Sequence, residues 1–86
     1  MTHQALAQAA RLAPVVERVH GKNHPEMTRV RQLTEQLMAT VDPTRTAALF
    51  AELRAVTDNY EVPGDVCEAF EATYQSLAAA DAQQAA

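Results

Sequence analysis

The chain has no tryptophan, two glycines and one cysteine in 86 residues, and each scarcity removes a class of protein. With Gly21 and Gly64 as its only glycines, it has no glycine-rich loop of the kind that cradles a phosphate. The single thiol, Cys67, excludes an internal disulfide and a paired CxxC site. Aromatic residues make up 5% of the chain, and Ala supplies much of its apolar content. That is the palette of close-packed helices rather than of sandwiches, and an all-α fold is expected. No apolar run approaches the ~20 residues that span a bilayer. The opening MTHQALAQAARL lacks the basic and continuous apolar regions of a signal peptide, so a cytoplasmic, reducing location without a membrane partner is expected. The seven Lys and Arg form no basic run and the net charge is −4, which repels a phosphate backbone; nucleic acid is not an expected partner.

What the chain does have is helical periodicity, in four segments that suit one small domain over residues 1–81, with an Ala/Gln tail at 82–86 expected to fray. The first segment runs from a capping Thr2 to His20 and places Leu6, Ala9, Leu12, Ala13, Val16 and Val19 on one side. Pro14 lies inside it and should either kink the helix or delay its regular start. Gly21 is suited to a left-handed residue closing that helix. The second segment begins after Asn23 as cap, with Pro25 and Glu26 in its first turn, and carries Met27, Val30, Leu33, Leu37, Met38 and Val41. Asp42 and Pro43 cap and open the third, which should bury Leu49, Phe50, Leu53, Val56 and Tyr60. After NYEVPGD the fourth carries Val66, Cys67, Phe70, Tyr74 and Leu77. Connections of two to six residues make consecutive helices antiparallel, so the expected fold is an up-down-up-down four-helix bundle, alone or completed by dimerisation.

Few residues promise chemistry. His20 and His24 flank Gly21 and Asn23, so they do not share the i, i+4 face of a helical zinc motif; closing one helix and opening the next is their ordinary role. Glu17 and His20 spell Glu-x-x-His, the i, i+3 pair that di-iron bundles project inward, and the chain contains no second copy. Cys67, between Val66 and Phe70, reads as a small buried hydrophobe, with a nucleophile at a helix start as the sharper alternative.

The stretches VVERVHGKNHPEMTRVRQL and LRAVTDNYEVPGDVCEAFEATYQSL resemble the repair-of-iron-centres family, hemerythrin-like di-iron proteins implicated in restoring iron–sulfur clusters after oxidative or nitrosative damage. The resemblance covers roughly residues 12 to 81. It implies a truncated hemerythrin-like bundle and places His20 at an iron-ligand position; Glu17, from its i, i+3 spacing to His20, and His24, across the joint, are the other metal candidates. Where the family has a His, a Glu-Glu pair and Leu-Phe-Pro, this chain runs from Met38 through Val41 into Asp42 and Pro43, and it ends at Gln83-Gln84-Ala85-Ala86 where the family carries Asp-Leu-His. An upstream ligand would have to be replaced by His3. The resemblance is therefore to the short members that lack most of the ligands: iron as a cofactor, but no full di-iron site within one protomer. The implied function lies in iron–sulfur repair and stress physiology, through protein association or a reduced metal site. Two other readings stand beside it. One is a metal-free module that homodimerises or binds a protein partner, and the other is an enzyme with an intersubunit metal site built from Glu17, His20 and acids such as Glu71.

Overall fold

The computed structural model describes residues 2–85, with the side chains of 4–84. The cap expected of Thr2, the side chain of His3 and Ala86 lie outside what is described. Four helices follow in order, α1 (Thr2–His20), α2 (Glu26–Ala39), α3 (Pro43–Thr57) and α4 (Glu68–Ala85), and they form an all-α four-helix bundle without strands among the described residues. Among the described residues, no helix is long and apolar enough to cross a membrane.

Periodicity decides which face each helix buries. Leu6, Ala9, Ala13 and Val16 form the buried stripe of α1, and the same stripe continues to His20 rather than to Val19. Val19 stands about 100° around the helix from His20 and is 65% exposed, contrary to its expected place in the core. Met27, Val30, Leu33 and Leu37 of α2 are buried. The sequence also assigned Met38 and Val41 to that face, but α2 ends at Ala39 and Thr40 turns extended, leaving Val41 97% exposed and Met38 51% exposed. From α3 come Leu49, Phe50 and Leu53, from α4 Phe70, Tyr74, Leu77 and Ala80, with Val56, Tyr60, Val62 and Val66 packed at the margin. Three buried threonines satisfy themselves locally, since Thr34, Thr57 and Thr73 each donate to the carbonyl four residues back at 2.7 Å.

The boundaries show which local signals governed. Asp42 caps α3 as expected, accepting from Thr44 N at 3.0 Å, with Pro43 in the first turn. Pro14 does not delay α1, which runs unbroken through it; the ring sits on the exposed face while the buried stripe continues on either side. Asn23 does not cap α2. The residue at that position is Pro25, with helical dihedrals and no side-chain cap, because the chain is already wound: Met27 N donates to His24 O and Thr28 N to Pro25 O. The Ala/Gln tail is helical through Ala85, and although residues 82–84 are exposed, Ala80 and Asp81 are buried.

α1 lies between α2 and α4, and α3 packs on α2, touching α4 least. Ion pairs mark the registers: Glu17 with Arg31 between α1 and α2, and Arg29 with Glu52 between α2 and α3. The α3–α4 connection, residues 58–67, is longer than the short joint expected. It opens with three successive left-handed residues, Asp58, Asn59 and Tyr60. Tyr60 then donates its hydroxyl to Asp81 at 2.7 Å, and Arg54 donates to the same carboxylate at 2.7 Å. Burial, reinforced by Asp81, pushes the Tyr60 hydroxyl far above its ordinary value of 10.0. Cys67 lies against the other end of α4, about 21 Å away along the helix at ~1.5 Å per residue, so the connection runs back beside α4. That return carries Asp65 and Cys67 to the end of the bundle where α1 meets α2.

Candidate functional site

At that end the α1–α2 joint is tied on one carbonyl. His20 O accepts from Asn23 N at 3.0 Å and from His24 N at 2.8 Å, which folds the chain back within four residues and brings the two imidazole centroids to 6.4 Å. Gly21 is required here, though not for the left-handed conformation expected of it: no glycine has positive φ. Its amide donates to Glu17 O at 2.8 Å, and the approach is so close that a Cβ would overlap that carbonyl oxygen.

Beneath both rings lies Phe70, fully buried, with His20 at 5.5 Å and His24 at 5.2 Å in edge-on geometry. Tyr74 packs on Phe70 at 4.8 Å, and burial, with the charge of Glu26 second, pushes its hydroxyl up to about 12. This aromatic floor fixes both histidines against α4.

The two histidines then face different partners. His24 is held by two carboxylates, Nδ1 at 3.0 Å from Glu26 and Nε2 at 3.1 Å from Asp65. Glu26, and after it Asp65, raises its pKa above the ordinary 6.5 against the opposing cost of desolvation. With both nitrogens facing carboxylates, the arrangement suits an imidazolium. His20 instead places Nε2 3.1 Å from the Cys67 sulfur, and the tautomer decides which atom donates. Cys67 is exposed, which corrects its assignment to the apolar face. The reason is a boundary: α4 begins at Glu68, so Cys67 precedes the helix, its carbonyl accepting from Glu71 N, and Phe70 is the first fully buried residue. A cleft of about 370 Å³ opens beside the thiol, lined by Val62, Pro63, Val66, Glu68 and Glu71 among others.

Glu17, His20 and His24, the residues singled out as ligands, are thus neighbours that point apart. Glu17 turns to α2, where Thr28 and then Arg31, at 2.6 Å, hold its carboxyl below the ordinary range. Among the described residues no three His, Cys, Asp or Glu side chains converge as a metal site would require. A di-iron centre needs bridging carboxylates beside its imidazoles, and here the carboxylates nearest the histidines are engaged with Arg31 or His24. The described residues do not fit it.

Cys67 and Asp65 are what sequence reasoning underrated. From sequence, Cys67 reads only as a buried hydrophobe or a helix-start nucleophile and Asp65 has no role at the site, because nothing local encodes a contact across 47 or 41 residues. Comparison of the chain with family models, with characterised proteins and with solved structures finds no match.

Proposed function

We propose that the protein is a short relative of the iron-centre repair proteins that serves in oxidative and nitrosative stress through a thiol–imidazole pair, Cys67 and His20, in place of a di-iron centre. The observation that carries this reading is the 3.1 Å contact between them. Each comes from one of the two stretches that carry the family resemblance, and the fold places them against each other at an exposed edge. A nucleophile and a base within hydrogen-bond reach are the minimum apparatus of an activated thiol. His20 Nε2 takes the thiol proton, and the thiolate attacks one oxygen of a hydroperoxide. The S–O bond forms as the O–O bond breaks, sulfur is oxidised to a sulfenic acid and the peroxide is reduced. The leaving oxygen departs with the proton held by the imidazolium, as water or an alcohol. Phe70 keeps the His20 ring in place, and in the single protomer the exposed Cys67 thiol is open to the small oxidant.

The test is the rate of thiol oxidation by hydrogen peroxide and of alkylation by a neutral reagent, in the wild type and in His20→Gln. Removing the base should slow both at neutral pH by about tenfold, below the usual contribution of general base catalysis because the site is open to water. Helicity should be unchanged. Equal rates in the two proteins would sink the reading. So would saturable binding of two irons per protomer, lost in His20→Gln, which would return the site to metal chemistry.

A further inference from the structure

Most of the cations are spoken for. Arg29 pairs with Glu52, Arg31 with Glu17 and Glu35, Arg54 with Asp81, and Arg45 donates to Gln36. The remaining three, Arg11, Arg18 and Lys22, have no carboxylate partner among the described residues and are all exposed. They share one place. At about 100° per residue, positions 11, 15 and 18 fall within roughly 60° of one another, on the side of α1 opposite its buried stripe, and Lys22 follows in the turn just beyond the helix. Val15 lies in that row and Val19 beside it, 40% and 65% exposed. The outer face of α1 is therefore a basic stripe with an apolar middle.

The complementary surface is on the same chain. No Lys or Arg follows Arg54, whereas Asp58, Glu61, Asp65, Glu68, Glu71 and Asp81 do. Of these, Asp65 faces His24 and Asp81 faces Arg54; Glu68 and Glu71 are exposed and without a cation among the described residues. They rim the cleft of about 370 Å³ whose floor is Val62, Pro63 and Val66. An apolar stripe edged by cations thus matches an apolar cleft edged by carboxylates. One molecule cannot join the two, because the stripe faces away from the bundle. The His20–Cys67 contact nevertheless brings the cleft beside the Lys22 end of the stripe. Two patches bordering one end of a molecule suit a two-fold contact in which each stripe meets the other copy's cleft and the assembly closes.

We propose that the protein forms a symmetric dimer in which the Arg11–Val15–Arg18–Val19 face of α1, with Lys22 in the turn beyond it, docks in the Val62–Glu71 cleft of a second copy. The contact is charge-dependent, with a Kd on the order of 10 µM, weak because long side chains must be ordered. Raising ionic strength from about 0.05 to 0.5 M shortens the screening length to a few Å and should weaken it at least tenfold.

Sedimentation velocity decides it. The variant Arg18→Glu/Lys22→Glu carries acid on both patches, and Glu68→Lys/Glu71→Lys carries base on both. Each alone should sediment as a monomer, and an equimolar mixture should form a heterodimer, since both of its contacts are again complementary. If either variant has lost helicity, Val19→Gln is the substitute and should weaken self-association at least tenfold. A wild type that stays monomeric up to ~1 mM, well above the proposed Kd, overturns the dimer. So does a wild-type dimer indifferent to these substitutions, or a mixture that fails to associate. A monomer that co-sediments with phosphatidylserine vesicles would overturn it too, assigning the stripe to an anionic surface.

Discussion

Gly21 shows how a correct position can be reached for the wrong reason. Its place after the last residue of α1 suggested a left-handed closure, yet its φ is ordinary, and what it provides is the absence of a Cβ against the Glu17 carbonyl. Because the obstacle is backbone, Gly21→Ala should destabilise by about 1–3 kcal/mol, the cost of shifting a tight local geometry. Thermal melts would check this, and the loss should persist in Gly21→Ser. An unchanged midpoint would mean that the joint relaxes freely. Cys67 teaches the converse. Its flanking Val66 and Phe70 read as an apolar face, and a helix beginning two residues later than the pattern implied was enough to leave the thiol exposed. Helix ends are where residue-level inference is weakest, because the apolar period constrains a register and says little about where it starts.

Among the elements, α3 was the most legible from sequence because its start is written twice, in Asp42 and in Pro43. Asp42→Ala removes the acceptor for Thr44 N while Pro43 still prevents α2 from continuing, so it should cost about 1 kcal/mol by thermal or urea denaturation. Asp42→Asn should restore most of it. The apolar faces of all four helices were legible at their centres, where Leu33, Leu53 and Leu77 are fully buried. They failed at their ends, at Val19, Met38 and Val41, where the helix stops or the stripe drifts around it. The α3–α4 connection was not legible. Its left-handed residues include a tyrosine, for which no sequence rule prepares, and the conformation stands with Asp81 holding the hydroxyl. Likewise, the sequence offered His20 and His24 as a pair, and only the return of residues 61–67 along α4 supplied each with its separate partner.

For the molecule as a whole, charged side chains pin a Leu-rich core from several sides, and their titration sets its tolerance of pH. Glu52, beside Arg29, and Glu17, beside Thr28 and Arg31, are held below the ordinary carboxyl value of 4.5. They stabilise the fold above that value, and their contribution is lost as pH falls through the depressed ones. His24 runs the other way: raised above 6.5 by Glu26 and Asp65, it stabilises the fold fully below 6.5, and its contribution is lost as pH rises through the raised value. Stability should therefore peak between about 4.5 and 6.5 and decline on both sides. Melting midpoints from pH 3 to 9 would trace this, on scales set by the ordinary pKa values. His24→Gln should flatten the alkaline limb alone, and Glu52→Gln the acid limb; a midpoint still climbing above neutrality would contradict the assignment. The clasp on Asp81 has its own consequence for how the protein comes apart. The left-handed turn at 58–60 is strained in isolation and is held by a carboxylate near the far end of α4, so neither region is secure without the other. Fraying that reaches Asp81 frees Tyr60 and Arg54 together and slackens the segment leading back to Cys67. The last turns of α4 and the turn after α3 thus form one cooperative opening unit, a foldon discontinuous in sequence, and the thiol at the opposite end of the molecule hangs from it.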